Sequence, residues 1–135
     1  MSLFKVFEVS GSALSAQSVR LNTIASNLAN QDVVSSTASG AYRARHPVFA
    51  TVMDQAGNAA GVRVTGIVQS SDDPQVRHMP DHPLADENGN VFSSTVNSVE
   101  ELTDMMSASS GYQTNVELMS TVKQLMLRTL QIGRR

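Results

Sequence analysis

The chain has 135 residues, a formal net charge of −2 and no cysteine. That length suits one domain, the absence of cysteine excludes disulfide frameworks, thiolate metal sites and cysteine nucleophiles, and the lack of any block of like charges argues against nucleic acid and anionic membrane surfaces as partners. Apolar residues make up 41% but aromatics only 4%, and seven methionines stand in for large rigid core-formers.

Residues 1–30 read as an N-terminal axial helix. Leu3, Phe7, Ser10, Leu14, Gln17, Leu21, Ile24 and Leu28 alternate by four and three, the a/d seam of a helix that packs lengthwise on other helices. Ser10 and Gln17 interrupt that seam, and polar residues at such positions fix register. Lys5, Glu8, Ser10 and Ser12 break every candidate apolar run, so no cleaved secretory signal is expected. No stretch reaches the roughly 18 apolar residues that span a bilayer, and direct membrane insertion is not expected. The helix runs into N-L-A-N at 27–30. Asn30 suits a left-handed helix-ending position. Asn27, one turn earlier, can give and accept hydrogen bonds to a neighbour. Whether both residues cap and solvate a helix end or serve a contact between subunits stays open.

Residues 31–96 are different in kind. All four prolines fall between Pro47 and Pro83, and seven acids against four bases give −3, against +1 for residues 1–30 and 0 for residues 97–135. Residues 35–39, SSTAS, read as a flexible loop. VFATVM (48–53) and GVRVTGIVQ (61–69) read as strands joined through DQAGN into a hairpin, with short extended pieces at 76–78 and 90–92. The region reads as an outward-facing extended middle. Its most enzyme-like stretch is HMPDHPLADENGN (78–90). His78, Asp81 and His82 could ligate a divalent metal and make a small metal-dependent hydrolase, but histidines four apart converge only on a helix, which Pro80 and Pro83 forbid. Asp86, Asn88 and Asn90 begin like a calcium loop, yet Val91 stands where glycine is required and Asn97 where glutamate is, so a tight turn at Asn88-Gly89 is the better reading. No phosphate loop, nucleophile elbow or H-E-x-x-H occurs, and the chain reads as a non-enzyme without a cofactor or small-molecule substrate.

Residues 97–135 read as a second axial helix over 98–132, roughly 50 Å long at 1.5 Å per residue. Asn97 with Glu100, or Ser98 with Glu101, fits a capping box, and Gly133 suits the C′ position. Acidic Glu100, Glu101 and Asp104 crowd the start, and Lys123, Arg128, Arg134 and Arg135 the end, as the helix dipole favours. Leu102, Met105, Ser109, Tyr112, Val116, Met119, Lys123, Met126 and Leu130 form one seam, and Leu118, Val122, Leu125, Thr129 and Ile132 a second. Gly111, in the polar patch SASSGYQTN, marks a tolerated irregularity or a close helix crossing. Two apolar faces need two partners, and one chain offers a single other helix. The spare face is therefore expected to meet other subunits, and both ends are expected to be largely disordered in a free monomer.

These ends carry a family resemblance. NTIASNLANQD (22–32) resembles the N-terminal signature of the bacterial flagellar rod and hook axial proteins, and MMSASSGYQTNVELMSTVKQLMLRTLQIGR (105–134) resembles the terminal helix of proximal-rod members of that family. AYRARHPVF (41–49) is similar to their Y-R-x-K-x-V-F segment and HPLADENGNV (82–91) to N-P-L-A-D-x-N-G-Y-V, with Asn90 in place of the tyrosine; Ser110-Gly111 replaces an Arg-Ser pair before Tyr112. The resemblance covers nearly the whole chain. It implies a structural subunit of the basal-body rod, the hollow drive shaft that carries motor torque through the periplasm, exported by the flagellar type III apparatus without a cleaved signal. Its fold would be mainly α with a small β insertion, the two terminal helices packing as a coiled-coil-like hairpin in the assembly. Its partners would be other rod subunits and further copies of itself. The assembly interface implied comprises Phe7, Leu14, Leu21, Ile24, Asn27, Leu28 and Asn30 on the first helix and Tyr112, Val116, Met119, Val122, Met126 and Leu130 on the second.

Overall fold

A computed structural model of the chain describes residues 3–133. Two long helices, α1 (Leu3–Ala29) and α2 (Ser98–Ile132), enclose in sequence five strands: β1 (Val34–Ser35), β2 (Arg45–Met53), β3 (Ala59–Gln69), β4 (Gln75–His78) and β5 (Asn90–Ser93). The expected span of the second helix, 98–132, is the observed one. Arg134 and Arg135, assigned to its basic end, lie outside the described residues.

Local chemistry sets the ends of both helices. Asn97, in extended backbone, accepts the Val99 N–H at 3.2 Å and so satisfies one orphan donor of α2. The capping-box partner is not Glu101, which turns inward. Gly133 continues in right-handed helical backbone (φ −72°, ψ −8°) and donates to Thr129 O, so the left-handed C′ expected there does not form. Asn30 departs from expectation in the same way, since no residue other than glycine has positive φ among the described residues. Its Nδ2 instead donates to Ser26 O at 2.8 Å, and its side chain rather than its backbone conformation closes α1. Along the polar middle of α2, Thr103, Thr114, Asn115 and Thr121 each bond the carbonyl four residues back, which satisfies these side chains within the helix.

The strands form two sheets. β1, β5 and β4 make a three-stranded antiparallel sheet with β5 central, and β2 with β3 makes a long hairpin, paired from Arg45 with Gln69 to Met53 with Ala59 and bulged twice. β1 lies where the sequence reads as loop: Ser35 pairs with Phe92. The two chain reversals are built alike. In D-Q-A-G-N (54–58) and D-E-N-G-N (86–90) the aspartate carbonyl accepts the glycine N–H at 2.9 Å in both. The aspartate Oδ1 accepts two further N–H groups, from Ala56 and Asn58 in one turn and from Asn88 and Asn90 in the other. Gly57 (φ 77°) and Gly89 (φ 74°) take the left-handed residue, so the second turn centres on Glu87-Asn88, one residue before the expected place. A Cβ on Gly57 meets nothing within 4 Å, whereas one on Gly89 falls 3.3 Å from Pro80 Cα and 3.1 Å from Pro80 Cβ. Gly57→Ala should therefore cost about 1–2 kcal/mol, the price of the left-handed backbone alone, and Gly89→Ala measurably more, read from urea midpoints of the two variants.

The hairpin lies along α1, held at its tip by the Lys5–Asp54 ion pair, in its middle by Ser12 Oγ accepting the Val62 N–H at 3.1 Å, and at its base by Asn27 bonded to the Arg45 backbone. The lengths agree: Lys5 to Asn27 spans roughly 33 Å of helix and Arg45 to Asp54 roughly 30 Å of strand. Lys5, with the Asn58 N–H, holds the Asp54 carboxyl down to about 2 from 3.8, so this tie is intact above the ordinary value and is lost only as pH falls toward 2.

Candidate assembly interface

α1 packs against α2 on one side and the hairpin on the other. Its expected seam is largely the observed inner face: Ser10 and Ile24 are buried and Leu14, Gln17, Leu21 and Leu28 half-buried, while Phe7 faces solvent. On α2 the inner line differs from the expected one. Glu101, Ala108 and Val122 are buried, with Met105, Asn115, Met119 and Met126 half-buried between and beyond them. These seven are spaced by four, three, seven, four, three and four, a seam displaced from the apolar one because it admits Glu101, Ala108 and Asn115. Of the buried apolar residues described, Ala16, Ala41, Ala44 and Ala108 outnumber Ile24, Val91 and Val122, so the core is narrow and the helices approach closely. Gly111 lies at that approach: a Cβ there would sit 3.2 Å from Gln17 Nε2. The contact is with the mobile end of a side chain, so Gly111→Ala is expected to raise stability by about 0.5–1 kcal/mol through helix propensity, and urea unfolding checks the sign.

The displacement leaves much of the apolar seam uncovered. Leu102, Tyr112, Val116, Leu118, Leu125, Leu127, Leu130 and Ile132 are exposed, Val116 by 44% and Leu130 by 66%. Two open apolar grooves result, each of about 500 Å³. One, where the helices end together, is lined by Leu3, Phe4, Lys123, Met126, Leu127, Thr129 and Leu130; the other, on α2, by Leu102, Met105, Met106, Ser109, Ser110 and Gln113. Uncovered area of this extent on one helix is characteristic of surfaces that meet other proteins.

At the opposite end of the helix pair the sequence reading missed a junction. Asn27 is fully buried, and each hydrogen-bonding position of its side chain is filled from within the chain. Nδ2 donates to Arg45 O at 2.8 Å and to Glu101 Oε1 at 2.7 Å; Oδ1 accepts from Arg45 N at 2.9 Å and from the Tyr42 hydroxyl at 3.0 Å. α1, the segment entering β2, and the first turn of α2 therefore meet on one amide. The neighbour that Asn27 engages here is its own chain. Burial pushes the Glu101 carboxyl above its usual range, against the opposing pull of the Asn27 bond. The available signal for Glu101 was its spacing, four residues before Met105 and seven before Ala108 on the inner line.

The histidine stretch assembles no comparable chemistry. His78 Nδ1 lies 3.2 Å from Asn90 Oδ1, His82 Nδ1 accepts the Leu84 N–H at 3.1 Å, and Asp81 is exposed. Among the described residues no three His, Cys, Asp or Glu side chains gather as metal ligands would, and no helix is long and apolar enough to cross a membrane.

Comparison with known proteins converges on one family. Residues 7–35 match the family described as flagella basal body rod protein, and residues 87–132 match the C-terminal family of flagellar basal body rod FlgEFG proteins. The flagellar basal-body rod protein FlgC of Salmonella typhimurium is 43% identical over 133 residues, covering 98% of this chain and 99% of its own. FlgC of Yersinia enterocolitica is likewise 43% identical, and that of Buchnera aphidicola subsp. Acyrthosiphon pisum 34% identical, each again matched over 98% of this chain and 99% of the relative. By this end-to-end similarity, the chain belongs to the flagellar basal-body rod protein FlgC family.

Proposed function

We infer that this protein is a structural, non-enzymatic subunit of the bacterial flagellar basal-body rod, assembling with other rod subunits and with copies of itself through its terminal helices. The observation that carries this reading is the end-to-end similarity to FlgC, at 43% identity over 98% of the chain. Its physical support is the uncovered apolar side of α2, which one chain cannot bury. In the assembled shaft the two helices lie lengthwise as a coiled-coil-like pair lining the inner tube, with the strand-bearing middle outside them. Phe7, Tyr112, Val116 and Leu130 make direct contacts between subunits; Leu14, Leu21, Leu28, Asn30, Met119 and Met126 shape the edges of that surface, and the buried Ile24, Asn27 and Val122 support it from beneath. Location in the periplasmic part of the flagellum, and delivery by the flagellar type III export apparatus without a cleaved signal, belong to the same reading.

Expression in a bacterium lacking its own copy tests the proposal. The protein should restore swimming and be found, with an intact N-terminus, in purified basal bodies. Recovery of basal bodies that contain a complete rod but not this chain would refute it.

A further inference from the structure

The carboxylate of Glu101 sits in the first turn of α2, where the helix dipole favours a negative charge, yet it is buried. The residue is 4% exposed, and among the described residues the Asn27 amide is its one hydrogen-bond donor. The two ion pairs described, Lys5–Asp54 and Arg20–Asp104, do not include it. The charged groups around it divide. On its own helix Glu100 and Asp104 oppose its ionisation, whereas His46 of β2 favours it. Arg20 of α1 lines a cleft with Ile24, His46, Phe49 and Asp104, and its guanidinium is engaged by Asp104 at 2.9 Å. The guanidinium of Arg45 lies over the Tyr42 ring, 5.7 Å from its centroid, and the Tyr42 hydroxyl is committed to Asn27 Oδ1. Among the described residues no cation forms an ion pair with the carboxylate itself.

We propose that Asn27 and Glu101 form a proton-operated latch: the joint of α1, α2 and the hairpin is tight while Glu101 holds a proton and loosens when Glu101 ionises. The protonated acid accepts the Asn27 N–H through its carbonyl oxygen and is neutral in a dry site. The ionised form leaves a buried negative charge with one side-chain donor and, among the described residues, no ion-pair partner, which is costly. Loosening acts on three elements at once, because the same amide that meets Glu101 also holds both backbone groups of Arg45. The sign follows. A carboxyl whose folded value is raised binds its proton more tightly folded than unfolded, so its contribution to stability is complete below the ordinary value of 4.5 and is lost as pH rises through the raised one.

Thermal unfolding of the full chain between pH 4 and 8 tests the latch, comparing the wild type with Glu101→Gln. The wild-type midpoint should fall with rising pH relative to Glu101→Gln by about 3–6 °C, a shift that one ionisation can produce in a domain of this length. The glutamine keeps the acceptor for Asn27 and cannot ionise, so a purely structural role would leave the two profiles parallel, and parallel profiles overturn the proposal. Should Glu101→Gln not fold, carbon-13 titration of the wild-type Glu101 carboxyl decides the matter unaided. A transition above 4.5 supports the latch, and one at or below it ends the idea.

Discussion

Replacing Asn27 by alanine is expected to destabilise the folded chain by about 3–5 kcal/mol, among the largest effects a single substitution can have. Four hydrogen bonds disappear together, and what they leave behind matters more than their number. The Arg45 N–H and C=O and a Glu101 oxygen would each face a dry cavity without a partner, and the Tyr42 hydroxyl would keep only Ser26 Oγ at 3.3 Å. A buried donor or acceptor left unmade costs about 1–3 kcal/mol, more when charged, and partial entry of water recovers some of the total. Against a typical domain stability of about 5–15 kcal/mol the loss is severe. Urea unfolding measures it directly. Amide exchange should localise it, with protection falling in Arg45 and at the start of α2 while the D-x-x-G-N turns keep theirs. A loss below about 1 kcal/mol would show that the junction is ornamental.

The opposite signature is expected when a charge is placed on the uncovered side of α2. Val116→Asp and Leu130→Asp should change the isolated chain's unfolding by no more than about 1 kcal/mol, the scale of helix propensity and the helix dipole, because both positions are open to water. In an assembled rod the same carboxylate would be stripped of solvent against apolar neighbours at a cost of several kcal/mol. Subunit affinity should then fall at least about 100-fold, and swimming should cease. Motility assays paired with circular dichroism of the purified variants separate the two effects. Wild-type swimming with either aspartate would remove Val116 or Leu130 from the interface. Asn27→Ala and Leu130→Asp thus fail for different reasons, one in the subunit and the other between subunits.

The features most legible in the sequence were those written in local chemistry. α2 begins and ends where its cap and periodicity place it because Asn97 has a donor within two residues and proline is absent throughout. The hairpin was readable from alternation on both sides of DQAGN. The inner seam of α2 was harder, since periodicity searches follow apolar residues. Glu101 and Asn115 occupy inward positions as polar side chains with one partner each, Asn115 the Gly111 carbonyl and Glu101 an amide 74 residues earlier. A pattern of hydrophobicity carries no trace of such pairings. β1, two residues long, had too little alternation to register, and the placement of the hairpin on α1 depends on Lys5–Asp54 and Ser12–Val62, contacts about 50 positions apart. Asn30 was identified as a helix-ending residue for the wrong reason: its side-chain amide, not a left-handed backbone, does the capping.

The twin D-x-x-G-N reversals have a kinetic consequence. Each is closed by bonds spanning no more than four positions, so it can form within the microseconds typical of hairpins while the rest of the chain is still unfolded. The Asn27 junction must wait for residues far apart to find one another, and long loops close late. Strand reversals first, helix pairing last, is the order in which this molecule should come together. A substitution at Gly57 or Gly89 would then slow folding, whereas one at Asn27 would chiefly hasten unfolding.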